Sequence, residues 1–261
     1  MFRSLHIAAT GMAAQEAELD TISNNLANVS TVGYKKQRAD FQDLLYQTMR
    51  APGTPITGTT TAPVGLELGT GTRIVATTHL HTQGTLEQTG NPLDLAIEGT
   101  GFLVVQQPDG TLAYTRNGML KTDAQGRLVN SEGLLVDPPI TIPLDATSVS
   151  IGSDGTLSAT IKGQTNPVQL GQIDIATFIN PAGLASAGHN LFINTAASGD
   201  PMVGRPGSDG RGTLLQGSIE HANVEVVQEM IGLISAQRNY EINSKVVSAA
   251  DEMLHNISQM G

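Results

Sequence analysis

The sequence predicts an α+β fold: long N- and C-terminal helices that form a coiled-coil-like pair, with an all-β domain and extended linkers inserted between them. Three observations lead there. Apolar residues recur at steps of three and four at both ends of the chain. The middle changes to short alternating runs punctuated by turn dipeptides. Stretches rich in Pro, Gly and Thr separate the ends from the middle.

The first helix reads from Ser4 to Val29, with no proline and only Gly11 as a weak point. Leu5, Ala8, Met12, Gln15, Leu19, Ile22, Leu26 and Val29 mark its seam, and Gln15 is the exception among apolar neighbours. Ser4 suits an N-cap and Gly33 a C′ position. The last helix reads from about Glu220 to Ser258, with Gly232 its one glycine. Val226, Met230, Leu233, Ala236, Tyr240, Asn243, Val247, Ala250, Leu254 and Ile257 form one stripe. Ile231, Ile234, Ile242, Val246 and Met253 widen it. A stripe wider than a two-helix seam requires several neighbours to bury it.

The β region runs from Thr72 to Phe192 through segments such as Leu93–Ile97, Phe102–Val105, Thr111–Tyr114 and Gln172–Phe178. Asp109-Gly110, Asn117-Gly118, Gln125-Gly126, Glu132-Gly133 and Asp154-Gly155 read as turns, the first four spaced 7 or 8 residues apart like a meander. In 51–71, 14 of 21 residues are Pro, Gly or Thr. Such a segment cannot bury enough apolar surface to offset its ordering entropy, so it is extended or ordered by a partner. The expected organisation is therefore a helical part at 1–33 and 218–261, linkers at 34–71 and 195–217, and a β domain at 72–194.

Composition excludes several functions. Among 261 residues there is no cysteine, so disulfides, thiolate metal sites and cysteine nucleophiles are impossible. With 14 Lys+Arg against 24 Asp+Glu the formal net charge is −10, unsuited to neutralising phosphates. Aromatics are 3% of residues, too few for base-stacking platforms, so no nucleic-acid partner is expected. No run approaches ~18 apolar residues, so the chain is not expected to insert into a membrane. The faint leader-like pattern at the N-terminus is diluted by His6, Thr10 and Gly11, and no cleaved signal peptide is expected.

Catalytic patterns are weak. His79 and His81 lie two apart on a strand, facing one side, but no third ligand is signalled, and they read as a solvated strand face. Gly65–Gly71 lacks the Gly-Lys-Ser/Thr ending of a phosphate loop, and Gly99-Thr100-Gly101 lacks a third glycine and a helix. There is no Gly-x-Ser-x-Gly elbow. Asp94 and Glu98 read as strand-edge acids. No enzyme activity, cofactor or metal is expected. Unpaired apolar area on the terminal helices is the strongest signal. It predicts that Leu5, Met12, Leu19, Ile22 and Leu26 pack on Val226, Met230, Leu233, Tyr240, Val247 and Leu254. Leftover faces would meet neighbouring subunits in a heterologous interface that does not close. A fibre adhesin binding through its β domain and a metal hydrolase centred on His79 and His81 are the readings from other classes.

The junction Asn25–Lys35 resembles the N-terminal signature of bacterial flagellar rod and hook axial proteins, carried by Ala27, Asn28, Thr31, Gly33, Tyr34 and Lys35. Ala236–Lys245 resembles the matching C-terminal signature, carried by Gln237, Arg238, Glu241, Asn243 and Lys245, with Asn239 where alanine is frequent. Gly65–Gly71, Leu80–Gly84, Leu93–Phe102 and Ala113–Gly118 are similar to the distal-rod branch, and another rod protein of similar length is the nearest alternative. The resemblance implies a structural subunit without enzymatic activity. Its terminal helices would form the inner layer of a hollow helical tube around an export channel, with the β domain outside. Implied partners are further copies of itself, proximal rod proteins, hook protein, the P- and L-ring bushing, the rod cap and the flagellar export apparatus. The implied location is the basal body, from periplasm to outer membrane, reached by type III export. The termini would be disordered before assembly. Asn28, Gly33, Tyr34 and Lys35 would steer the chain from the inner layer outwards, and Tyr46–Gly71 would brace neighbouring subunits.

Overall fold

The N-terminal periodicity folds as a single helix, α1 (Phe2–Ala27), and the C-terminal one as α2 (Val226–Met260). The computed structural model describes residues 2–57, 60–61, 63–163 and 166–260. They divide into two units: Met1–Leu26, Gln37–Thr78 and Glu225–Gly261 form the first, and Ala27–Lys36 with His79–Val224 form the second.

In the first unit the helices are antiparallel. Asn25 lies opposite Glu229, donating from Nδ2 at 3.2 Å. Further along, Ile22 lies against Gly232, and Gly11 against Asn243. Each step back along α1 is matched by an equal step forward along α2. The glycines that look like weak points in the sequence are contact points: a Cβ on Gly11 would stand 3.0 Å from the Asn243 amide, and one on Gly232 3.3 Å from Ile22. Ala236 and Ala250 are also buried, so small residues line parts of this seam. α1 carries a second stripe, half-buried at Thr10 and buried at Ala14, Thr21 and Asn25, which is small or polar and therefore silent in an apolar-periodicity reading. Asn25 donates to the Gln37 carbonyl and accepts from its N–H, both at 2.8 Å, and the Thr10 hydroxyl sits beside Gly71.

The strand Thr72–His79 pairs with Gln37–Asp43 and so groups with the helices rather than with the strands that follow it. Within the stretch expected to be extended, Gln47–Arg50 pairs with Leu66–Leu68, and Pro55–Thr57 with Thr60–Thr61. Gln47–Arg50 is exposed throughout, so this pairing builds no core of its own.

The second unit is almost wholly β, with one short 3-10 turn at Pro181–Gly183. Phe102–Gln106 is central in a nine-stranded sheet, flanked on one side by Leu112–Thr115 and on the other by Leu135–Val136 and Ile175–Thr177. A three-stranded antiparallel sheet runs through Ala146–Ile151, Thr156–Ile161 and Val168–Gln172. Leu95, Ile97, Leu103, Leu128, Leu157 and Ile175 belong to the main core. The aromatic residues Phe102, Tyr114, Phe178 and Phe192 form a second cluster. Four of the five expected turns close hairpins, each with a glycine at positive φ: Gly110, Gly126, Gly133 and Gly155. Asn117-Gly118 does not. Gly118 lets the chain cross Leu95, whose N–H donates to the Gly118 carbonyl at 2.9 Å. A Cβ there would fall 1.6 Å from the Leu95 carbonyl oxygen.

Two boundaries differ from expectation. α1 begins at Phe2 and ends at Ala27, so Ser4 is inside the helix and not its cap. α2 begins at Val226, because Ser218–Glu220 is a strand paired with Leu86–Gln88, just as Thr213–Gln216 pairs with Leu95–Glu98. The apolar spacing before Val226 is therefore spent on a ladder. Nor is Asp94 a strand-edge acid in solvent. It is buried and accepts from the Thr89 hydroxyl at 2.6 Å and the Asn91 amide at 2.8 Å.

Candidate functional site: the motif junction and the helix faces

The N-terminal motif enters the second unit as an irregular segment held by backbone bonds. The Gly33 N–H donates to the Glu220 carbonyl at 2.7 Å, and the Asn223 N–H to the Tyr34 carbonyl at 3.4 Å. Gly33 has φ +71°, and a Cβ would lie 2.5 Å from the Arg116 carbonyl carbon, so both conformation and space require glycine. Thr31 donates from its hydroxyl to the Asn28 side chain at 3.2 Å.

This route drives Lys35 into the interior, where it is 0% exposed. Its ammonium donates to Glu220 Oε1 and to the Thr82 carbonyl, both at 2.6 Å. Arg116 Nη1 reaches Glu220 Oε2 at 3.1 Å, while Nη2 donates to the Gly99 carbonyl at 2.7 Å. The Gly84 N–H supplies another donor to Glu220 at 2.8 Å. A single carboxylate thus ties together the N-terminal motif, the middle of the chain and the segment preceding α2. Burial draws the Lys35 and Arg116 pKa values down, and Glu220 opposes that shift. The arrangement is a set of donors around one acceptor, and it clamps chain segments in register. Arg116 lies in Ala113–Gly118, one of the stretches similar to the distal-rod branch, whereas Glu220 carried no signal. One acid among 24 Asp+Glu acquires meaning only when folding places it beside Lys35.

His79 and His81 are beside this clamp, and their surroundings correct the solvated-face reading. Both are half-buried. Their rings pack edge-to-face on Phe192 at 5.3 and 5.2 Å, and His81 also meets Phe102 at 5.3 Å. Among the described residues no group of three His, Cys, Asp or Glu could hold a metal.

In the helices, Ile22 is buried and Leu5, Met12, Leu19, Leu26, Leu233, Val247 and Leu254 are half-buried. Val226, Met230 and Tyr240 are exposed, at 39%, 52% and 42%. Glu229, absent from the apolar stripe, takes the buried position near the start of α2. Of the C-terminal motif, Asn243 is half-buried against Gly11, while Gln237, Arg238, Glu241 and Lys245 face out. Ala27 is exposed. No helix among the described residues is long and apolar enough to cross a membrane.

Terminal helices with apolar outer faces, joined through a clamped motif to a β unit, define a structural subunit of an assembly. Comparison with known proteins gives that class its family. Residues 5–35 match the flagella basal body rod protein family, 96–159 the flagellar hook protein FlgE/F/G D1 domain, and 215–260 the flagellar basal body rod FlgEFG protein C-terminal family. The flagellar basal-body rod protein FlgG of Buchnera aphidicola subsp. Acyrthosiphon pisum is 49% identical over 260 residues, covering 100% of both chains. That of Caulobacter vibrioides is 46% identical over 259 residues, covering 99% of each. The flagellar hook-basal body complex protein FlhP of Bacillus subtilis is 30% identical over 268 residues, covering 97% of each. The chain belongs to the flagellar basal-body rod protein family and is a structural rod subunit of the flagellum.

Proposed function

We propose that the chain is the distal-rod subunit, polymerising helically into a hollow, rigid shaft that transmits torque and encloses the export channel. One observation carries the polymer reading. α2 already has α1 on one side, yet Met230, Ile231, Ile234, Ile242, Val246 and Met253 remain 43–64% exposed. Exposed apolar side chains repeated along one helix are unfavourable in water and mark an interface. Neighbouring copies would cover it, and the mixed faces favour a heterologous contact that propagates.

In this reading Leu5, Met12, Leu19, Ile22 and Leu26, with Val226, Met230, Leu233, Tyr240, Val247 and Leu254, form the inner layer. The clamped motif fixes where the chain leaves it. The subunit has no catalytic role. Its partners are other copies, proximal rod proteins, hook protein, the P- and L-ring bushing, the rod cap and the export apparatus. It spans periplasm to outer membrane. The closeness of chains named for the rod supports these assignments.

The test separates the two sides of α2. Ile234→Asp alters an outward position, and Leu233→Asp one half-buried in the chain itself. Polymers followed by sedimentation and electron microscopy should be lost in Ile234→Asp while its circular dichroism matches wild type. Normal tubes from Ile234→Asp would overturn the assignment of that face.

A further inference from the structure

We propose that His81 is a proton-triggered release for the motif junction: a proton taken up there loosens the grip of 33–36, 79–84 and 220–223 on one another while the central sheet stays folded.

The geometry is that of an aromatic residue built from imidazole. His81 is packed edge-to-face on Phe102 and Phe192, 6.1 Å from the His79 ring. Both of its nitrogens are buried and have no hydrogen-bond partner. The Pro181 carbonyl faces the ring without a hydrogen bond of normal geometry. A neutral imidazole tolerates such surroundings at the cost of one unmade bond; an imidazolium there is an unpaired buried charge.

The neighbouring charges act in the same direction. His79 on the same segment, Lys35 from the N-terminal motif and Arg116 beyond Leu112–Thr115 all disfavour a further cation. The carboxylate of the clamp, Glu220, already accepts from Lys35, Arg116 and the Gly84 N–H. Strands Phe102–Gln106 and Leu191–Ile193 present the rings of Phe102 and Phe192. Burial first, then His79, Lys35 and Arg116, push His81 down to about 4 from an ordinary value of about 6.5, against an opposing effect of the Pro181 backbone.

The consequence has a definite sign. An opened junction takes up the proton near pH ~6.5, whereas the closed one resists until about 4. Closure is complete above that window and weakens as pH falls through it. The separation corresponds to at most about 300-fold in the opening equilibrium.

The experiment is hydrogen exchange on the full chain between pH 7.5 and 4, corrected for intrinsic rates. Four amides report on the junction: Gly33, Leu80, His221 and Asn223, which donate to Glu220, Lys36, Thr85 and Tyr34. Asp137, donating to Val104, reports on the central sheet. Junction opening should rise up to ~300-fold more in wild type than in His81→Leu and His81→Gln, with Asp137 unchanged. Comparison with the variants subtracts carboxylate titration, Glu220 included. An equal rise in wild type and variants overturns the proposal. Should both variants misfold, NMR titration of the wild-type imidazole decides: a midpoint near 4 tracking junction opening supports the release, and one near 6.5 with the junction closed overturns it.

Discussion

Lys35 and Glu220, 185 positions apart, meet at 2.6 Å with side chains 0% and 1% exposed. Arg116 completes the group from the middle of the chain. A buried pair of this kind contributes modestly when intact but is expensive to break, because the survivor is left charged and undersolvated. Glu220→Ala strands two cations and should cost about 3–5 kcal/mol in chemical denaturation of the full chain. Lys35→Met should cost less, because Arg116 still pairs with Glu220. Equal losses in the two variants would show that the carboxylate is not the hub.

Gly33 and Gly110 separate conformation from space. Both have positive φ, +71° and +86°, but a Cβ at Gly110 meets nothing within 4 Å. Gly110→Ala should therefore cost only left-handed strain, about 1–2 kcal/mol. Gly33→Ala adds a collision with the Arg116 backbone and should cost clearly more, with lost protection at the Gly33-to-Glu220 bond. Matching melting temperatures in the two variants would refute the spatial requirement.

Glu18 on α1 has its pKa raised, first by burial and then by the Glu229 carboxylate across the seam. For an acid, a raised folded value means that the paired state binds the proton more tightly than the open one. Pairing of α1 with α2 is thus favoured below the unfolded value and loses that contribution as pH rises through the folded value. Glu18→Gln should strengthen pairing at pH 7 and leave it little changed at pH 3.5, read from exchange protection along α1. Weaker pairing at pH 7 would contradict this.

Ile22 is 5% exposed and sits where α1 crosses Gly232. Ile22→Ala should cost about 2–5 kcal/mol and loosen the first unit selectively. Proteolysis should then shorten the termini while the second unit resists; uniform loss across the chain would argue against two separable units.

The segment Tyr46–Gly71 exposes Tyr46, Met49, Val64 and Leu66 at 51–70%. If these side chains brace neighbouring subunits, deleting the segment should lower the bending stiffness of assembled tubes in electron micrographs. Unchanged stiffness would remove the bracing role.

Local pattern alone determined a good deal. Step-three-and-four spacing produced both helices, because one buried stripe is enough to write itself into an apolar sequence. Glycine after Asp, Gln or Glu located four hairpins, since a positive φ is a local demand. Family signatures at the two ends identified the rod and hook class. What only tertiary structure decided involves partners distant in sequence. The stripe Thr10, Ala14, Thr21 and Asn25 is invisible without Gln37 and Gly71 opposite it. His79 and His81 look solvated until Phe102 and Phe192 close over them. Glu220 is an ordinary acid until Lys35 and Arg116 arrive. Periodicity records which side of an element is buried; which charge meets which is fixed by long-range chain placement, and no local spacing encodes it.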